Sequence, residues 1–188
     1  MGRSGLSFRK KKRLSSEIKQ AIRNYLLGCV AAFSLGVLLV VSFGYTITNV
    51  GVSMEDAIAH NQKVMVNRTS YLLFAPKVGD VIVFEQGTNA HLYIKRVIAK
   101  PGDSIQIIGG EIFVNDALVK DDLDKIADPG IAKQKIILGE DEFFVMGDNR
   151  NNSEDSRSDT IGTIQRSEII GKAWFALPSE NGNMKPIK

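Results

Sequence analysis

The chain is poor in the residues that build disulfides and metal centres, with one cysteine and two histidines among 188 residues. The cysteine, Cys29, lies inside a long apolar stretch, so the rest of the chain has neither a disulfide nor a thiol nucleophile. His60 and His91 lack the spacing of zinc ligands, and the glycine patterns of P-loops and dinucleotide-binding folds are absent. No metal and no cofactor is therefore expected.

Charge of either sign is missing between Asn24 and Met54. The 21 mostly apolar residues from Tyr25 to Tyr45 would span about 31 Å as a helix, which is roughly the hydrocarbon thickness of a bilayer. A cleavable signal peptide has a shorter apolar core that ends at an Ala-x-Ala-like site, and Gly44–Ser53 contains no such site. A buried core helix is usually shorter and two-faced. Residues 24–45 are therefore predicted to be an uncleaved transmembrane anchor.

The basic residues are concentrated before this stretch. Residues 1–23 hold eight bases and one acid, whereas residues 24–188 hold 16 bases and 20 acids. The positive-inside rule predicts a single-pass protein of the cell membrane, with a cytoplasmic basic segment at 1–23 and residues 46–188 outside the cell. The bases would also attract anionic membrane lipid. Because the body of the chain is mildly acidic, no nucleic-acid partner is expected.

The predicted exported domain, 46–188, has little helical periodicity. Short alternating or β-branched runs instead recur between turn signals, which is typical of a mainly β fold built as a small coiled antiparallel domain. Gly109-Gly110 predicts a hairpin turn, Asp121–Lys135 a surface loop and Ser179–Lys188 a polar tail. The predicted strands are Lys63–Val66, Asp80–Phe84, Leu92–Ala99, Ser104–Ile108, Glu111–Val114, Glu142–Met146 and Ile170–Phe175.

One lysine in these strands is a candidate general base. In an extended strand Tyr93, Lys95 and Val97 share one face, so the lysine has apolar neighbours. Desolvation disfavours its charged form and lowers its pKa towards neutrality, as base catalysis requires. A lysine on a solvated strand face is the simpler interpretation of this residue alone. A serine triad that uses His91 stays formally open.

Three stretches together favour the catalytic interpretation. In order and spacing they resemble the sequence boxes of the type I (leader) signal peptidases, which are membrane-bound Ser/Lys proteases with the same preceding anchor. The long third stretch is the most specific of the three. They are Gly51-Val52-Ser53-Met54, Tyr93 to Asp103 (YIKRVIAKPGD) and Gly147 to Arg157 (GDNRNNSEDSR).

The resemblance implies a fold of signal-peptidase type and a role for each matching residue. Ser53 would be the nucleophile, Lys95 its general base, and Ser153 the hydroxyl that orients the Lys95 amine. The Ser53 N–H would donate to the oxyanion, and Gly51 occupies a position where some members carry a second, hydroxyl donor. Ion pairs between supporting residues would hold the loop in place, namely Arg96 with Asp148 and Arg157 with Asp155.

The implied function is cleavage of N-terminal signal peptides from exported preproteins. Ser53 follows Tyr45 by eight residues, so it lies within about 28 Å of the predicted membrane interface, where such substrates emerge. The family box usually continues Ser-Met-x-Pro-Thr-Leu, whereas Glu55 and Asp56 follow Met54 here. We expect these acids to alter the substrate range.

Two other hypotheses come from different classes. The first is a signal-peptidase-like assembly factor or chaperone that holds surface pilins and does not need cleavage. It is favoured by the altered box after Ser53 and opposed by the intact Ser53, Lys95 and Ser153 set. The second is an autocleaving Ser/Lys repressor, which the anchor and the lack of an N-terminal DNA-binding domain oppose.

Overall fold

The structure is a computed structural model that describes residues 15–87, 91–180 and 183–187. Most of the predicted basic segment 1–23 and part of the predicted polar tail lie outside the described residues. The chain divides into two compact units, Met1–Leu39 and Val40–Lys188.

The first described element is a helix, α1, at Ser16–Phe43. It starts before the predicted anchor because the Ser15 hydroxyl accepts a hydrogen bond from the Ile18 N–H at 3.4 Å, as an N-cap does. Its stretch Ser16–Val41 is long and apolar enough to cross a membrane. Tyr45, predicted as the last anchor residue, instead begins the first strand.

The second unit is built mainly of antiparallel strands in two sheets. The strands are β1 Tyr45–Thr48, β2 Lys63–Asn67, β3 Val81–Gln86, β4 His91–Ala99, β5 Ser104–Ile108, β6 Glu111–Val114, β7 Ala117–Leu118, β8 Ile136–Ile137, β9 Glu142–Met146, β10 Ile164–Gln165, β11 Ile169–Ala176 and β12 Lys185–Pro186. A short helix, α2, lies at Ser70–Leu73, and 3₁₀ turns lie at Gly130–Lys133 and Arg166–Glu168. The larger sheet has the strand order β1-β2-β11-β3-β4-β9-β10, with β12 paired to β11, and the smaller has the order β7-β6-β5-β8.

The mainly β prediction is confirmed, and each of the seven predicted strands is present with ends shifted by at most two residues. The hairpin at Gly109-Gly110 is confirmed as well. Ile108 pairs with Glu111, and both glycines have positive φ values of 61° and 81°. Two residues with positive φ twist the chain as the flanking strands require, which explains glycine at both positions.

Two predictions about irregular segments were incomplete. Asp121–Lys135 is not only a surface loop, because Ile126 and Ala132 are buried in the core around the smaller sheet. The tail contributes β12, which pairs with β11 through Lys185 and Ala176. A two-residue strand carries too little pattern to be recognised from alternation, so β7, β8, β10 and β12 were missed.

Three buried clusters hold the strands together. One lies between the smaller sheet and the ends of β4 and β9, and a second lies around β3, β9 and β10. The third brings Met54 and Ile58 from the loop after β1 against Val64, Val66 and strands β3, β4 and β11. This third cluster anchors the loop that carries Ser53.

Candidate active site

The segment that carries Ser53 is a loop, residues 49–62, between β1 and β2. Met54 and Ile58 are fully buried in the core. The Met54 carbonyl accepts hydrogen bonds from the N–H groups of Ala57 and Ile58 at 2.9 and 2.6 Å. Ser53 therefore stands directly before a tight turn whose apolar side chains are immobilised by packing.

Strand pairing brings the other two sequence boxes to this loop. β4 pairs with β9 in a register that places Arg96 opposite Met146, so Lys95 lies beside Gly147. A Cβ on Gly147 would collide with the carbonyl oxygen of Ser53 and with the side chain of Ser153. Glycine at this position thus permits the close approach of the three boxes.

Lys95 and Ser53 are in direct contact. The Lys95 Nζ donates to the Ser53 Oγ at 2.6 Å, and the lysine side chain is only 4% exposed. Burial lowers the pKa of Lys95 from 10.5 to about 8; the charges of Asp155 and Glu154 oppose this shift, and the charge of Arg157 adds to it. With a pKa of about 8, roughly a tenth of Lys95 is unprotonated at pH 7, and this fraction can accept the Ser53 proton.

Asn149 holds the nucleophile segment from the side of the third box. Its N–H donates to the Ser53 carbonyl at 3.0 Å, and its Nδ2 donates to the Val52 carbonyl at 3.2 Å. No hydrogen bond joins the Ser53 N–H to any other described residue. Asn149 belongs to the third sequence box, but the sequence predicted no role for it. Its contact with Ser53 joins residues 96 positions apart, which no local pattern indicates.

Two ion pairs support the loop that contains the third box. Arg96 donates to both oxygens of Asp148 at 2.7 and 2.6 Å, and Arg157 donates to both oxygens of Asp155 at 2.8 Å. Asp155 also accepts from the Gly147 N–H at 3.0 Å. Both acids are buried. Bidentate arginine–carboxylate pairs of this kind are geometrically specific and stronger than single hydrogen bonds.

Ser153 does not form the hydrogen bond to Lys95 that the resemblance implied. Its Oγ is buried and has no hydrogen-bond partner among the described residues. The side chain packs against the Cα of Gly147, in the space that a Cβ would occupy, while the Lys95 amine is engaged by Ser53. Ser153 is therefore adjacent to the Ser53 segment, but its hydroxyl is not part of the Lys95 contact.

Gly51 and the two acids after Met54 complete the loop. Gly51 has a φ of 115°, and its N–H donates to His60 Nδ1 at 3.0 Å. His60 was not predicted to have a functional role. Glu55 and Asp56 are exposed, and the Asp56 N–H donates to no described residue. Among the described residues, no three His, Cys, Asp or Glu side chains are grouped as a metal site would require.

Comparisons with known proteins point to one family. The family model described as signal peptidase, peptidase S26, matches residues 22–177. A probable signal peptidase I-2 from a Synechocystis species is 32% identical over 128 residues, which cover 65% of this chain and 57% of that protein. Signal peptidase I of Bacillus amyloliquefaciens is 30% identical over 143 residues, which cover 68% of this chain and 72% of that protein.

One solved structure overlaps in part. A crystal structure of a signal peptidase I from Enterococcus faecalis V583 matches with a TM-score of 0.42 and 21% identity. The match covers 52% of this chain and 96% of that chain. The mainly β architecture itself is established by the strand pairing described above.

Proposed function

The chain belongs to the signal peptidase family, peptidase S26, and we propose that it is a membrane-anchored endopeptidase with a Ser53/Lys95 dyad. Its substrates are the N-terminal signal peptides of exported preproteins. One observation carries the proposal, which is the 2.6 Å contact between Ser53 Oγ and a buried Lys95 Nζ. A buried lysine with a hydroxyl partner and a lowered pKa is suited to base catalysis, because its proton is not held by a carboxylate.

The dyad supports acyl transfer in two stages. The neutral Lys95 amine accepts the Ser53 proton while the Ser53 oxygen attacks the carbonyl of the scissile bond. The Ser53 N–H donates to the oxygen that becomes negatively charged. The resulting Lys95 ammonium then gives its proton to the leaving amine, and an acyl-enzyme on Ser53 remains. Lys95 next takes a proton from water, whose oxygen attacks the acyl carbonyl. The ester bond to Ser53 then breaks, and the Lys95 ammonium returns the proton to the Ser53 Oγ.

The surrounding residues serve this chemistry by fixing the loop. The ion pairs of Asp148 and Asp155 hold the third box, and Asn149 in turn holds the Ser53 carbonyl. Ser153 is the proposed orienting group for the Lys95 amine in the acyl-enzyme, because its hydroxyl has no other described partner.

The proposed placement is in the cell membrane. Helix α1 supplies the span, and the bases of residues 1–23 favour a cytoplasmic N-terminus with residues 46–188 outside. The enzyme would then contact membrane lipid through helix α1. The anchor would hold the nucleophile at the surface where preproteins emerge, which raises the effective concentration of substrate.

The direct test is cleavage of a preprotein by the purified full-length chain in detergent. We expect the wild type to remove the signal peptide, and Ser53→Ala and Lys95→Met to be inactive. Ser167→Ala and Lys100→Met are the matched controls, since both side chains are exposed, and they should cleave at the wild-type rate. Equal rates of preprotein cleavage by the wild type and by Ser53→Ala would contradict the proposal.

A second test addresses the acids that follow the nucleophile. Because the Asp56 N–H donates to no described residue, proline at this position removes no hydrogen bond. We expect Asp56→Pro to keep activity and to broaden cleavage to generic signal peptides. Glu85→Gln, an exposed change on β3, controls for loss of one negative charge. An unchanged substrate range would show that Asp56 does not determine specificity.

A further inference from the structure

The loop of residues 49–62 is closed by polar side chains. The buried Asn49 donates from Nδ2 to the carbonyls of Ile58 and Ala59, at 3.1 Å in each case. The fully buried Gln62 accepts from the Ala59 N–H at 3.0 Å through its Oε1. These contacts hold the returning half of the loop, up to Ala59, against its base.

Two side chains contact the outgoing half at Gly51, namely Asn49, whose Nδ2 donates to the Gly51 carbonyl at 3.4 Å, and His60. Its Nδ1 accepts a hydrogen bond from the Gly51 N–H at 3.0 Å. Nδ1 also lies 3.3 Å from the Gly51 carbonyl oxygen, to which it donates only in the other tautomer; the shorter contact, to the N–H, belongs to the neutral ring with its proton on Nε2. Gly51 has a φ of 115°, which side chains other than glycine rarely adopt, and a hydrogen bond to its N–H selects this conformation from the many that glycine allows.

This contact lies two residues before the nucleophile. Asn149 already holds the carbonyls of Val52 and Ser53. Asn149 thereby fixes the peptide planes on both sides of Ser53, and the His60 contact fixes the plane between Val50 and Gly51. The direction of the Ser53 N–H follows from those planes, and so does the position of its Oγ relative to Lys95.

We propose that His60 is a positioning residue for the nucleophile, acting through the Gly51 N–H to orient the Ser53 backbone and hydroxyl. The inference rests on the proposed peptidase function. It assigns a role to one of the two histidines of a chain whose dyad needs no imidazole.

A purely structural role for His60 is a weaker explanation of the same contact. The ring is half-buried and belongs to none of the three core clusters, whereas Met54 and Ile58 supply the apolar packing of this loop. Asparagine can offer a carbonyl oxygen near the position of Nδ1, and leucine can fill similar space without an acceptor. The two substitutions separate hydrogen bonding from packing.

The test uses the full-length chain in detergent micelles with a preprotein substrate. We expect His60→Leu to lower kcat about tenfold with KM changed less than about twofold, since small misplacement of a reacting group acts mainly on the chemical step. His60→Asn should recover most of the loss, and exposed His91→Leu should match the wild type. Exchange of the Gly51 amide with solvent should accelerate in His60→Leu and not in His60→Asn.

The outcomes distinguish the two proposals. A wild-type chain that cleaves, together with a His60→Leu variant of equal kcat, would overturn the role of His60 and leave the peptidase intact. Equal losses in the asparagine and leucine variants would also overturn it, because the acceptor would then be irrelevant. A wild-type chain that cleaves no preprotein would overturn the peptidase function and the role of His60 with it.

Discussion

Two lysines lie on either side of the same core residue and have different surroundings. Ile82 on β3 pairs with Lys95 of β4 on one side and with Lys172 of β11 on the other. Lys172 is about one-third exposed and forms an ion pair with Asp80, whereas Lys95 is buried against the hydroxyl of Ser53. The two lysines share strand type and register, so the contrast lies in their burial and in their partners.

Burial and the contacting group together determine the role of each lysine. Burial alone would raise the pKa of Asp80, but hydrogen bonds from Lys172 and the Lys77 N–H lower it below its ordinary value. That ion pair ties β11 to the turn before β3. Lys95 contacts a neutral oxygen, so burial prevails and lowers its pKa to about 8. The first arrangement stabilises the fold, and the second permits proton transfer.

The largest expected effect comes from exchanging each lysine for arginine. Lys95→Arg should reduce kcat/KM by roughly 10⁴-fold or more, because a guanidinium does not release its proton and the dyad fails as a unit. Lys172→Arg should keep kcat/KM within about twofold, since arginine can still pair with Asp80. Cleavage kinetics on one preprotein measure kcat/KM for both variants. Similar losses in the two variants would contradict the assignment of different roles to the two lysines.

Replacing each lysine by methionine should change stability in opposite directions. A pKa lowered from 10.5 to about 8 means that charged Lys95 costs the fold roughly 3 kcal/mol, so Lys95→Met should stabilise by up to that amount. Lys172→Met should destabilise by about 1–2 kcal/mol, because Asp80 loses its charged partner. Urea unfolding of residues 46–188, with or without the preceding anchor helix, measures both changes in the free energy of unfolding.

The sign of the pH dependence provides a control for the Lys95 variant. The unfolded chain binds a proton on Lys95 up to pH 10.5, whereas the folded chain releases it near pH 8. Wild-type stability therefore rises between these two values, and the advantage of Lys95→Met should be complete below pH 8 and vanish towards pH 10.5. An advantage that does not depend on pH would point to packing instead of charge.

The activity of the wild type should follow the unprotonated fraction of Lys95. We expect kcat/KM to rise about tenfold per pH unit below pH 8 and to level off above it. Lys172→Arg should have the same profile, because Lys172 takes no part in proton transfer. A profile that is flat between pH 6 and pH 9 would remove Lys95 from the role of base.

The smallest effect concerns the acids near Lys95. Glu154 is exposed, and its charge raises the pKa of Lys95. Glu154→Gln should therefore move the rise in kcat/KM to lower pH by a few tenths of a unit, as expected for a screened surface charge. Glu85→Gln, an exposed change not coupled to Lys95, should leave the profile in place. A shift in the opposite direction would contradict the electrostatic account.

Much of the fold was accessible from local pattern. The strands around Lys95 and Met146 alternate or are β-branched over four residues or more, and period-2 alternation is a local property. The Arg96–Asp148 and Arg157–Asp155 contacts that the resemblance implied are formed. Asp148 follows β9, which pairs with the strand of Arg96, and Arg157 and Asp155 lie in one loop. Strands of two residues left no such signal.

The missed contacts have a common origin. Asn149 reaches Ser53 and Val52 across the fold, and His60 reaches Gly51 across its own loop through a backbone N–H. Ser153 was expected on Lys95, but its side chain packs on Gly147 and its hydroxyl has no described partner. Hydrogen bonds between side chains and distant backbone groups depend on loop conformation, which residue types alone do not specify.

The sequence by itself determined the residue types available for chemistry, the apolar helix and the strands, because periodicity and composition act over a few neighbouring residues. It also determined that a lysine on strand β4 has apolar neighbours. Only the tertiary structure decided that this lysine meets Ser53, while Lys172, across the same β3 residue, meets an acid. The pKa of a lysine depends on burial and on the nearest charge, and both arise from strand pairing and loop packing over long separations in the chain.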